Sequence, residues 1–301
     1  MTSSKFAVVI CHGSYHTPAP YQALIDALEA HGIETHCPQR PTCDLKNLNI
    51  GDPKNPDFDR PPPENGYPLA SEDATTVGNV IDKLISANKL VLLVAHSSGG
   101  WVACEAAISA RQAPVRKAQG QSGGVIGIFF VGAFIIPLGE SIDSFFQPKD
   151  GLIVTPIWLQ LYASPMLERY ACEGQSRTKL MKLKYGHEGV GTITDPVKYL
   201  FNDIEPVEAE KWAAALSAAP IPRSPLTNDL YSGLPCAYLV LENDMTLPKQ
   251  YQEGMIAAHN AVNEKQISIL RCQASHSPHI SWTVGLRDEI EKFGTQALAE
   301  V

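Results

Sequence analysis

Short, wholly apolar runs rich in β-branched residues recur along this chain and alternate with segments of helical period. Runs of that kind read as strands buried on both faces, and such strands belong to parallel sheets whose crossovers are helices. Phe6–Cys11 is the first. Tyr21, Leu24, Ile25 and Leu28 then recur at i, i+3, i+4 and i+7 on a helix that Gly32 can stop, and Ile33–Cys37 is a second strand. Ser71 is placed to cap the next helix, whose apolar face is Val77, Val80, Ile81, Leu84 and Ile85 and whose first turn carries Glu72 and Asp73. Leu90–Ala95 is the third strand, Trp101–Ala113 a helix of small residues, and Val125–Phe134 a fourth strand. The alternation resumes with strands Cys236–Leu241 and Gln266–Cys272, a helix opening at Pro248 between them, and a last helix ending near Leu298. Six strands alternating with helices predict an α/β fold with a mostly parallel, doubly wound sheet.

Two stretches interrupt the pattern. Pro38–Pro68 holds eight prolines in 31 residues, so neither period survives and residues 38–69 are expected as a long excursion. From 137 to 231 the alternation stops, and short helical candidates such as Pro206–Ala218 suggest an inserted helical cap. The core is then 1–136 and 232–301. Phe145, Phe146, Trp158, Tyr162, Tyr170 and Trp212 fall in the insert, either as pocket walls or as its own small core.

Composition narrows the function. Lys plus Arg number 24 against 32 Asp plus Glu, without blocks, giving a net charge of −8 that disfavours a nucleic-acid partner. No apolar stretch approaches the roughly 20 residues a bilayer demands, so no membrane span is expected. The six apolar residues Phe6–Cys11 are too few for a signal peptide, and the seven cysteines are scattered without a CxxC pair. Both point to free thiols and a cytoplasmic protein.

The chemistry gathers where strands end. In Ala95-His96-Ser97-Ser98-Gly99 a serine has small residues two places to either side at a strand-to-helix junction, the pattern of a nucleophile elbow. Ser98 is a weaker nucleophile candidate because its own flank would be the bulky His96. His12-Gly13-Ser14, at the end of the first strand, is placed to donate one oxyanion N–H, so the expected donors are the N–H groups of Ser14 and Ser98. Asp244 and His276 follow the last two strands in the chain order Ser, Asp, His, and could orient a base and act as one. Glu242 and Asp143 are alternative acids, and His279 is an alternative base. His12 and His96 fit structural roles, while His16 could line the pocket. His187-Glu188 lacks the second histidine of a zinc motif, and no GK[ST] or strand-following GxGxxG occurs, so neither metal nor nucleotide cofactor is expected.

These residues resemble the α/β-hydrolase superfamily, and within it the plant methylesterase and hydroxynitrile lyase group together with similar fungal hydrolases. His12-Gly13-Ser14-Tyr15-His16 is similar to that group's oxyanion loop, Ala95–Gly99 to its elbow, Glu242-Asn243-Asp244 to its acid turn and Ser275-His276-Ser277-Pro278 to its histidine turn. Phe201-Asn202-Asp203 and Glu208–Trp212 resemble a cap segment of the fungal members; the excursion matches nothing. The resemblance implies six parallel strands, a helical cap over Ser97 and no cofactor. The lyases carry Lys after the catalytic histidine and Thr in the oxyanion glycine's place, where this chain has Ser277 and Gly13. The expected activity is therefore hydrolysis of a carboxylic ester or lactone of a small, apolar or aromatic metabolite. An acyl-enzyme cyclase or C–C bond enzyme, and a non-catalytic small-molecule receptor, are the alternatives.

Overall fold

The computed structural model describes residues 6–146, 159–162 and 189–301. Among them run strands β1 (Ala7–Cys11), β2 (Thr35–His36), β3 (Leu90–His96), β4 (Gly124–Val131), β5 (Leu159–Tyr162), β6 (Val190–Ile193), β7 (Ala219–Pro220), β8 (Cys236–Leu241) and β9 (Ser268–Cys272). The helices are α1 (Gln22–Ala30), α2 (Ala70–Ser86), α3 (Gly99–Ala106), α4 (Ala113–Ala118), α5 (Ile142–Phe146), α6 (Pro196–Tyr199), α7 (Pro206–Ala214), α8 (Lys249–Val262), α9 (Pro278–Ser281) and α10 (Thr283–Ala299).

Six strands form one parallel sheet in the order β2-β1-β3-β4-β8-β9. The period of two sorts each apolar run onto both faces. Val9, Leu93, Phe130 and Tyr238 pack toward Val77 and Ile81 of α2, Val102 of α3 and Ile256 of α8. Val8, Ile10, Leu92, Phe129 and Leu239 pack toward Leu24 and Leu28 of α1 and Ile290 and Phe293 of α10. Each such side chain contributes roughly 1.5–3 kcal/mol by leaving water.

Several boundaries differ from expectation for local reasons. The helix expected over Trp101–Ala113 ends at Ala106, and a 3₁₀ turn over Ser109–Arg111 leads into α4, which carries Pro114 in its first turn, where no N–H is needed. Helix α2 opens at Ala70, with Leu69 rather than Ser71 at the cap position, where the Glu72 carboxylate accepts from the Leu69 N–H at 2.9 Å. The fourth strand stops at Val131, because Gly132 turns the chain with φ +47°.

The excursion forms only two 3₁₀ turns, Pro41–Cys43 and Leu45–Asn47. Its Leu48 and Ile50 are buried with Val190 and Ala218, so it leans on the 137–231 insert. That insert is not helical alone: β5, β6 and β7 make a separate antiparallel sheet, with Leu161 opposite Gly191 and Val190 opposite Pro220. Trp212 packs beside Leu200, Phe201 and Ala209, and Phe145 against the main core. Trp158, Tyr170, Cys172, His187 and Glu188 lie outside the described residues, as does the side chain of Tyr162.

Candidate active site

β3 delivers His96 and ends in a backbone reversal at Ser97, whose φ of +54° is one of three positive values at non-glycine residues among the described residues. A left-handed serine is strained and persists because its surroundings hold it. The Ser97 carbonyl accepts from the N–H groups of Gly100 and Phe134, each at 3.0 Å. A side chain at Gly99 would put Cβ 1.9 Å from the Cys11 carbonyl oxygen, and one at Gly100 would put it 2.2 Å from that of Phe134. The small residues after the elbow thus let α3 start directly against β1 and the bend beyond β4. Gly13 does the same for the loop after β1, since a Cβ there would sit 3.0 Å from Ser97 Cβ.

The acid and base turns meet across the same edge of the sheet. His276 Nδ1 lies 2.7 Å from Asp244 Oδ2, and both side chains are buried. The N–H groups of Thr246 and Leu247 donate to Asp244 Oδ1, each at 2.8 Å, and Gln252 Nε2 approaches Oδ2 at 3.4 Å. A carboxylate so supplied with donors accepts from His276, so the neutral imidazole carries its proton on Nδ1 and keeps a lone pair on Nε2. No hydrogen bond joins the Ser97 hydroxyl to His276; the link between elbow and base is His96 Nε2–H, donating to the His276 carbonyl at 2.8 Å. The alternative acids are engaged elsewhere, Asp143 with Arg223 at 3.1 Å and Glu242 with the side chain of Gln273.

Of the two expected oxyanion donors, one is free and one is not. The Ser98 N–H donates to no group among the described residues. The Ser14 N–H donates to Ser98 Oγ at 2.8 Å, and the two hydroxyl oxygens lie 2.7 Å apart.

Behind the site four further histidines pack with Tyr21. His279 stacks on Tyr21 with ring centroids 4.0 Å apart, and His96 lies 4.7 Å from the His276 ring and 5.1 Å from that of His279. Their proton positions follow from their partners. His96 Nε2 donates, so its Nδ1 accepts from the Tyr21 hydroxyl at 2.6 Å, and that hydroxyl in turn accepts from the Gly13 N–H at 3.1 Å. His16 Nδ1 donates to the Ser14 carbonyl and His12 Nδ1 to the Gly13 carbonyl, both at 2.9 Å. Burial, the largest cause, pushes His16 down to about 4 and holds His12, His96 and His279 well below the ordinary histidine value. His16 is thus walled in beneath the oxyanion loop, 1% exposed, where the sequence placed it as a possible pocket residue. His279, the alternative base, leaves Nε2 buried and unpaired. Among the described residues no group of three or more His, Cys, Asp or Glu side chains is placed to hold a metal ion, and the six described cysteines are free.

Three positioning groups were not legible as such in the sequence. Arg40, from the excursion, is 3% exposed; its guanidinium pairs with the buried Asp73 of α2 at 2.8 Å and donates to the His12 carbonyl at 2.7 Å and to Ser98 Oγ at 2.9 Å. Asp73 reads in sequence as an ordinary first-turn acid, yet it also takes the N–H and hydroxyl of Thr42. Asp203 accepts from the N–H of Ser275 and the hydroxyl of Ser281, each at 2.8 Å, and the backbone carbonyl of Tyr199 accepts from the Thr246 hydroxyl at 2.7 Å, so the insert clamps both the His276 and the Asp244 turn.

Residues 8–288 match the alpha/beta hydrolase family. The chain belongs to that family. It is 24% identical over 284 residues, 92% of either chain, to the alpha/beta hydrolase nvfD of Aspergillus novofumigatus (strain IBT 16806). Among solved structures it superposes on the pyrethroid hydrolase PytH with a TM-score of 0.63 at 16% identity, covering 99% of this chain and 100% of that one. Polyneuridine aldehyde esterase gives 0.62 at 14% identity, with 97% and 100% covered. Tomato methylketone synthase I, complexed with 2-tridecanone, gives 0.62 at 13% identity, with 98% and 99% covered. At these identities the superpositions establish the shared fold, in which a hydrolase family member carries its chemistry at the carboxyl ends of the strands. No helix among the described residues is long and apolar enough to cross a membrane.

Proposed function

We propose that this alpha/beta hydrolase cleaves a carboxylic ester or lactone of a small metabolite through an acyl-enzyme on Ser97. The observation that carries the reading is the buried Asp244–His276 pair at 2.7 Å, whose tautomer leaves Nε2 as a base on the side away from the acid. Ser97 Oγ attacks the ester carbonyl as its proton passes to His276 Nε2, and Asp244 stabilises the imidazolium. The free N–H of Ser98 meets the oxyanion. Collapse expels the alcohol, protonated by His276, and water activated by the same imidazole releases the acid. The missing hydrogen bond between Ser97 and His276 accords with a site without substrate, where such bonds commonly tighten only on binding.

Two residues favour hydrolysis over cyanohydrin cleavage. A Thr at position 13 would press on Ser97, since even a Cβ there stands 3.0 Å from Ser97 Cβ, and no lysine follows His276. The similar pyrethroid hydrolase and polyneuridine aldehyde esterase agree with ester chemistry. The test is turnover of methyl esters, aryl esters and lactones by wild type beside Ser97→Ala. We expect a loss on the order of 10⁴-fold or more without loss of fold. Undiminished turnover by a folded Ser97→Ala protein contradicts the reading.

A further inference from the structure

The Ser14 N–H faces the side chain of Ser98, and counting protons around that oxygen shows what the loop offers instead. Ser98 Oγ has two lone pairs and one proton. The Ser14 N–H, at 2.8 Å, and Arg40 Nη1, at 2.9 Å, can only donate, and they occupy both lone pairs. The contact of 2.7 Å between the two hydroxyl oxygens therefore runs one way, from Ser98 O–H to Ser14 Oγ. Ser14 Oγ has no other partner among the described residues, and Ser14 is half-buried, on the loop whose Gly13 stands against Ser97. Its own proton is left without an acceptor among the described residues.

We propose that the Ser14 hydroxyl, not its N–H, is the oxyanion loop's donor to the substrate carbonyl oxygen, and that Arg40 acts through Ser98 as a positioning residue that fixes and polarises this donor. The inference rests on Ser97 being the nucleophile. Arg40 is suited to the role because its guanidinium is buried, always charged, and held by Asp73 and the His12 carbonyl, so its proton cannot be withdrawn from Ser98. A chain of hydrogen bonds beginning at a cation strengthens its last donor, and an oxyanion is a better acceptor than the ester carbonyl it replaces, so the gain falls on the transition state. The excursion thereby acquires a function: it carries the charge that orients the oxyanion loop.

The test uses 4-nitrophenyl acetate turnover, with fluorophosphonate labelling of Ser97, for wild type, Ser14→Ala, Ser98→Ala, the double variant and Ser14→Thr. Ser14→Ala removes only a half-buried hydroxyl and keeps the N–H, so the fold should persist. We expect roughly a 100-fold fall in kcat with KM little changed, as for loss of one oxyanion donor. Ser98→Ala should lower kcat roughly tenfold, the double variant should be no slower than Ser14→Ala because both break one chain, and Ser14→Thr should restore most of kcat. Wild-type kcat in Ser14→Ala, or a faster Ser98→Ala whose lost hydroxyl had merely covered the Ser14 N–H, overturns the proposal while leaving Ser97 as nucleophile. A wild type that neither labels nor turns over overturns the nucleophile assignment, and this proposal with it.

Discussion

Asp244 sets the proton of His276 as well as its place. Because Oδ1 takes two backbone N–H groups, an asparagine at 244 must put its amide oxygen there and turn its NH₂ toward His276 Nδ1. The imidazole then has to accept at Nδ1 and carry its proton on Nε2, where it can no longer take one from Ser97. Asp244→Asn should therefore keep the fold and lose on the order of 10⁴-fold in kcat, read by ester turnover and circular dichroism; a loss below tenfold would show that the tautomer is irrelevant. Ser97, Asp244 and His276 were legible in the sequence because each follows an apolar run that could only be a strand, and the ends of parallel strands share one edge. Arg40, Tyr21 and Asp203 were not, since each reaches the site from a distant segment through a side chain whose length and direction no local period encodes. His96 illustrates the gap: a structural role is readable from its place in the elbow, but its partner, a carbonyl 180 positions away, is not.

The elbow is an element held by absent side chains. Gly99→Ala would drive a Cβ into the Cys11 carbonyl, a backbone atom of a central strand that cannot yield, whereas Gly254 of α8 has nothing within 4 Å of its added Cβ. Gly99→Ala should cost several kcal/mol and sharply lower the urea midpoint, while Gly254→Ala should raise stability by about 0.5–1 kcal/mol through helix propensity. Equal midpoints for the two variants would contradict the packing described. The excursion is tied to α2 by one buried ion pair, so Arg40→Met should cost about 3–5 kcal/mol by leaving the Asp73 charge buried without its cation, and Arg40→Met with Asp73→Asn should recover part of it. A single variant as stable as wild type in urea would mean that the pair anchors nothing. The sheet strands were readable as elements because burial on both faces demands unbroken apolar runs. The antiparallel sheet of the insert was not: its strands are two to four residues long, include Gly191 and Pro220, and owe their pairing to one another rather than to composition.

The molecule as a whole stores neutral histidines beneath its site, and this makes its stability depend on pH in a defined direction. His16 takes up its proton near 6.5 when unfolded but only near 4 in the fold, so between those values the unfolded chain binds more protons. Stability is full above about pH 6.5 and falls as pH drops through that window, by about 3 kcal/mol from His16, with His12, His96 and His279 acting in the same direction. Urea midpoints measured from pH 8 to pH 4 should be level to about 6.5 and then decline; a level curve down to pH 5 would mean that the cluster is open to water. The chain's organisation converges on one edge of one sheet, where β1 brings Gly13 and Ser14, β3 Ser97, β8 Asp244 and β9 His276. The most direct test of that convergence is labelling of the purified protein with a fluorophosphonate, followed by mass-spectrometric mapping of the modified peptide. A stoichiometric label on Ser97 that is abolished in His276→Ala is the predicted result; a label on Ser98, or one that forms without His276, would contradict it.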